Sequence, residues 1–202
     1  MNNKNIQIVN LLISHSQILL RSRDYDEKLS QWGKGNISQG AVLHKDYVIF
    51  DPLPDDAFGA NVNIKVEQSF NLDENSQRCI VVPFFVTEQH KLQIASATEK
   101  FDLSLGLNDK IYSLFYEVCE GDEIYYNFTL VPTKETVAAK FLLDDPWGGI
   151  KTILLKKVFF KFKTNQRKLI YKEPDVKKAI IMSPSLTMQF FLSARRAVER
   201  TR

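Results

Sequence analysis

The stretch "NVNIKVEQ", residues 61–68, sets Val62, Ile64 and Val66 on one side of an extended chain and Asn61, Asn63, Lys65 and Glu67 on the other. Successive side chains of a strand point to opposite faces, so this alternation suits a half-buried strand with one wet side. The same rhythm recurs along most of the chain, and nothing else narrows the fold as far. "EIYYNFTLV" sets Ile124, Tyr126, Phe128 and Leu130 against Tyr125, Asn127, Thr129 and Val131. "IQIVNLLI", "QILLRS", "YVIFD", "KLQIAS", "KFDLSL" and "KIYSLFYEV" read alike, with the turn formers "DPLPDD", "DENSQR", "GLND" and "EGDE" between them. Short strands at spacings near ten residues predict antiparallel sheets stacked as a sandwich. No amphipathic helix interleaves them, which disfavours a parallel α/β sheet.

"CIVVPFFVTE", residues 79–88, adds a constraint of its own. Its apolar residues occupy both faces, so neither is bathed in water. Pro83 lacks a ladder donor and places its strand at an edge or at a bulge. An edge covered on both faces satisfies both facts, and so does an edge completed by a partner.

The chain of 202 residues is 44% hydrophobic and 25% charged, as expected of a globular protein that buries a substantial core. Its net charge of +3 conceals an asymmetry. Residues 1–150 hold 13 Lys/Arg and 21 Asp/Glu, a balance of −8, whereas residues 151–202 hold 14 and 3, a balance of +11. In "ILLKKVFFKFK", Val158, Phe160 and Phe162 alternate with Lys157, Lys161 and Lys163, which predicts a last strand. "SPSLTMQFFLSARRAVER" reads as a helix, with Ser183 as cap, Pro184 in the first turn and a stripe of Leu186, Phe190, Ala194 and Ala197. The expected architecture is therefore mainly all-β: an antiparallel β-sandwich over residues 1–163, then a basic C-terminal extension, 164–202, ending in a helix at about 184–200. Gly33, Gly35 and Gly40 mark the stretch before "YVIFD" as a loop with one helical turn at Tyr25–Trp32.

Several of these segments are familiar in combination. "VVPFFVTE", "LQIAS" and "FDLSLGLNDKIYSLFYEV", preceded by "ISHSQILLRS" and by "QWGKGNISQGAVLHKDYVIFD" with its Trp32, Ile37, Gly40 and Phe50, resemble the competence protein J family over roughly residues 10 to 130. The best-known member of that family inhibits a DNA-entry nuclease of naturally competent bacteria. The resemblance implies a non-catalytic protein that binds another protein, a nuclease, and blocks it. It carries over no contact residue, and the basic region after about Lys151 extends beyond it.

An inhibitor of that kind gains from carboxylates placed where a nuclease expects phosphates. "DPLPDDAF" offers Asp51, Asp55 and Asp56 on a loop stiffened by Pro52 and Pro54, with Phe58 as an anchor. "LLDDPWGG" offers Asp144 and Asp145 beside Trp147. Both are equally the composition of solvated turns. The basic quarter supports a different reading, in which Lys156, Lys157, Lys161, Lys163, Arg167 and Lys168, interleaved with aromatics, grip nucleic acid or an anionic membrane. A third use is internal, as a counterweight to the acidic body.

Little points to catalysis. His15, His44 and His90 stand apart without a metal-ligand spacing, and no nucleophile elbow or phosphate loop is present. Cys79 and Cys119 read as small core residues. No enzyme activity, metal or cofactor is expected. With no apolar run of membrane-spanning length and no signal-cleavage pattern, the expected location is cytoplasmic, with attachment to the membrane surface through the basic tail as the variant.

Overall fold

The computed structural model describes residues 5–53 and 59–156. Eleven strands are found there: β1 (Ile6–Leu11), β2 (Ile18–Ser22), β3 (Ala41–Leu43), β4 (Tyr47–Phe50), β5 (Ala60–Val66), β6 (Ser76–Phe85), β7 (Leu92–Ala95), β8 (Lys100–Asp102), β9 (Ile111–Glu120), β10 (Ile124–Pro132) and β11 (Lys140–Phe141). They form a six-stranded sheet in the order β1-β5-β10-β9-β6-β11 and a five-stranded sheet in the order β3-β4-β2-β7-β8. The strand expected around Val158, the extension 164–202 and its helix lie outside the described residues.

The alternation places the core as read. Val62, Ile64, Tyr126, Phe128 and Leu130 face inward from the six-stranded sheet and are fully buried. They meet Ile18, Leu20, Val48, Phe50 and Ile94 of the other sheet in one cluster. At its centre Phe50 stacks on Tyr116 across the two sheets, ring centroids 4.3 Å apart and planes 9° from parallel. Such a pair adds about 0.5–1.5 kcal/mol beyond its buried area.

One pairing departs from the antiparallel expectation: β10 runs parallel to β5, from Tyr125 opposite Asn61 to Leu130 opposite Val66. The β9–β10 hairpin inserts between β5 and β6, which are consecutive in the chain. Period two reports which face a residue occupies and is blind to a neighbour's direction.

The centre of the five-stranded sheet is buried on both faces, so β2 reads Ile18, Leu19, Leu20, Arg21 and Ser22 without an exposed residue. Leu19, Val42, Tyr47, Ile49 and Ala95 make a second apolar layer beneath Leu29 and Trp32. The segment carrying those two residues holds a 3-10 turn, Glu27–Ser30, inside the predicted helical turn. It also holds a helix the glycines had suggested was loop, α1 (Lys34–Gln39), which closes on Gly40 in the left-handed region at φ +65°.

Pro83 sits where its chemistry permits. Leu142 N–H donates to Cys79 O, and Phe85 N–H donates to Lys45 O, both on the side of β6 away from β9. Backbone groups of alternate residues share a side, so the missing donor of Pro83 faces that same margin. β11 pairs β6 only at Ile80 and Val81 and ends short of it.

Candidate functional site

The two aspartate loops differ in what they offer. In "LLDDPWGG", Asp145 receives Arg78 of β6 as a two-pronged ion pair, Nε to Oδ2 at 2.6 Å and Nη2 to Oδ1 at 2.8 Å. The side chains are 3% and 0% exposed. Oδ1 of Asp145 also accepts the N–H groups of Trp147 and Gly149, each at 2.9 Å. A charge-assisted pair with its remaining acceptors filled is a stable way to bury two charges. The Arg78 guanidinium lies over the rings of Phe141 and Trp147, at 5.3 and 5.8 Å from their centroids. Asp145, expected as a contact carboxylate, is thus an internal clamp, and its side chain is not on the surface. Trp147 packs half-buried against the core. Asp144 is exposed and uses Oδ1 to accept the Lys151 N–H at 2.7 Å.

Glycines let the clamp close. A Cβ at Gly40 would stand 2.7 Å from Nη1 of Arg78, and one at Gly149 would run into the Asp145 carboxylate.

Asp51 is likewise committed. It is 7% exposed, and its Oδ1 accepts the Leu53 N–H at 3.0 Å. The Tyr116 hydroxyl donates to Asp51 O at 3.1 Å, and the Tyr126 hydroxyl donates to Pro52 O at 3.3 Å. Burial raises the pKa of both phenols, keeping them protonated donors. The root of the "DPLPDDAF" loop is therefore tied into the core; Asp55, Asp56 and Phe58 lie outside the described residues. Of the polyanion candidates only Lys156 is described, its N–H donating to Gln39 Oε1 at 2.9 Å. Lys157, Lys161, Lys163, Arg167 and Lys168 lie outside.

Between Val66 and Ser76 the chain covers the outer face of the six-stranded sheet, with Phe70 stacked on Phe115 at 3.9 Å. Asp73 N–H donates to Glu117 Oε1 at 2.9 Å, and Asp73 Oδ1 accepts the Tyr125 hydroxyl at 2.8 Å. Glu117 is 1% exposed, and burial pushes its carboxyl above the usual range. Asp73 goes the other way: burial raises it, but hydrogen bonds from Asn75 N–H, Tyr125 and Asn127 outweigh that and leave it below the ordinary value. Cys79 and Cys119 are buried free thiols beside this network. Burial, helped by Glu117, raises both, Cys119 to about 12.

A third region escaped the sequence reading. On the outer face of the five-stranded sheet, Leu19, Ile49 and Ala95, together with Tyr25, Ala97 and Glu99, line a groove of about 340 Å³. Tyr25 also lines a second concavity of about 480 Å³, with Asp24, Asp26, Glu27, Asp46 and Glu88. No motif could have shown it, since the lining comes from segments as far apart as Gln17 and Lys100. Among the described residues no group of three or more His, Cys, Asp or Glu is arranged to hold a metal ion. No described helix is long and apolar enough to cross a membrane.

The family model described as competence protein J (ComJ) matches residues 10–131. The chain belongs to the ComJ family. A solved structure gives the same fold: ComJ of Bacillus subtilis, described as the inhibitor of the DNA-degrading activity of NucA, superposes with a TM-score of 0.50 at 20% identity. That likeness covers 63% of this chain and 96% of the other. No curated protein matches this ComJ-family chain. The match ends before Lys140, so neither β11 nor the Asp145 loop falls within the family model.

Proposed function

We propose that this chain is a non-catalytic inhibitor that binds a DNA-degrading nuclease and blocks it. The observation that carries the reading is the ComJ match across the two-sheet body, together with the description of the Bacillus subtilis relative as an inhibitor of NucA. Electrostatics supports it. Residues 1–150, with a balance of −8, are attracted to a surface evolved to collect a phosphate chain, and carboxylates on such a surface compete with DNA.

The test is direct. The purified full-length chain is titrated into a DNA-cleavage assay of the NucA-type nuclease from the same organism. Cleavage is expected to fall to baseline near equimolar inhibitor, with a heavier species in size-exclusion chromatography. Full activity at a large excess of the chain would overturn the reading. The double substitution Asp55→Ala with Asp56→Ala asks whether the "DPLPDDAF" loop takes part, and a loop in contact loses capture without loss of fold.

A further inference from the structure

We infer that the Tyr25 groove and its acidic continuation are the face on which the nuclease docks, seating a basic segment that carries an apolar side chain. The inference rests on the inhibitor reading and gives it a surface. The floor is set by β2, β4 and β7, where Leu19, Ile49 and Ala95 are 5%, 1% and 4% exposed. They are held by the ladder and belong to the buried layer against which Leu29 and Trp32 pack, so the slot is preformed and costs little ordering on entry. Tyr25, 60% exposed, stands where the two concavities meet. An aromatic ring with a polar tip, in that position, is suited to anchor an interface.

Charge selects the occupant. The two concavities are lined by six carboxylates against Arg21, Arg23 and Lys100. Arg21 is buried and spends its guanidinium on Gln93 Oε1, at 2.6 and 3.0 Å. Arg23 lies 3.6 Å from Asp46, and Lys91 is held between Asp24 and Glu88 at 2.7 and 2.9 Å. With Lys91 counted, six carboxylates face four cations, an excess of negative charge that repels a phosphate chain or an acidic peptide. The same excess favours lysine or arginine side chains, even though Asp24 and Glu88, 81% and 41% exposed, already share Lys91. The segment with which a nuclease gathers DNA has the matching sign. An inhibitor seated on it would exclude the substrate by occupying the same basic groups.

The experiment uses the full-length chain and the same organism's NucA-type nuclease. Tyr25→Ala, Ala97→Trp and the pair Asp24→Lys with Glu88→Lys alter exposed side chains at the groove. Asp122→Lys, in the turn after β9, is the charge-reversal control. Each groove variant is expected to need at least tenfold more protein for half-inhibition, with an unchanged far-UV spectrum, while the control inhibits as wild type. Groove variants that inhibit like the wild type overturn this surface and leave the inhibitor reading standing. A wild-type chain that does not inhibit overturns both. Tyr25→Ala alone carries the test should the charge-reversed pair not fold.

Discussion

Arg78 and Asp145 stand 67 positions apart in sequence and meet through two hydrogen bonds with both charges out of water. The pair joins β6 to the loop after β11, next to the left-handed turn that closes α1. Three elements that share no local sequence signal are pinned at one point.

Removing one member of this pair strands the other. Asp145→Asn is expected to lower unfolding free energy by about 3–5 kcal/mol, as measured by urea denaturation. Removing the Arg78 charge as well, as Arg78→Met with Asp145→Asn, is expected to cost clearly less than Asp145→Asn alone. The amide oxygen at position 145 can still accept the Trp147 and Gly149 N–H groups, and no charge is left stranded. Equal losses would show that the charges contribute little.

Gly40 should tolerate no side chain. Gly40→Ala combines a left-handed backbone with a Cβ 2.7 Å from Arg78 Nη1, and a loss of about 1–3 kcal/mol is expected. In an Arg78→Met background the steric part of that loss is expected to shrink, which a double-mutant cycle reads directly.

Glu117 sets a pH dependence whose sign follows from burial. Its folded pKa lies above 4.5, so the native state holds its proton longer than the unfolded chain does. The wild type therefore loses stability as pH rises from about 4.5 through the folded value. Glu117→Gln lacks this titration while its amide oxygen can still accept the Asp73 N–H. The variant's stability relative to wild type is expected to be greater at pH 8 than at pH 4.5 in parallel urea melts. Asp73, depressed, works oppositely: its contribution is present above 3.8 and is lost as pH falls through its folded value.

Cys79 and Cys119 are fully buried, with thiols shifted away from the reactive thiolate. A thiol reagent at pH 8 is expected to label neither in the native protein and both in urea. Rapid labelling of the native chain would mean that the outer layer over the six-stranded sheet opens readily.

How far the sequence disclosed this molecule depends on the range of each signal. Strands such as β5 and β10 were legible because period two is written into adjacent residues. Helix α1 was not, because Lys34–Gln39 carries no apolar stripe and its glycines look like punctuation; Gly40, a left-handed closing residue, was the available clue. The parallel β5–β10 pair leaves no mark in either strand. Asp145 and Asp144 are adjacent and chemically identical, yet one is sealed against Arg78 and the other is exposed, a difference set by a residue 67 positions away. The groove at Tyr25 is still less visible, since β2, β4, β7 and two connections build it together.

Pro83 has a last effect that concerns the crowd of identical molecules around each chain. A neighbour pairing with β6 past Val81 would meet no donor at Pro83, so the ladder it could add there is one rung short.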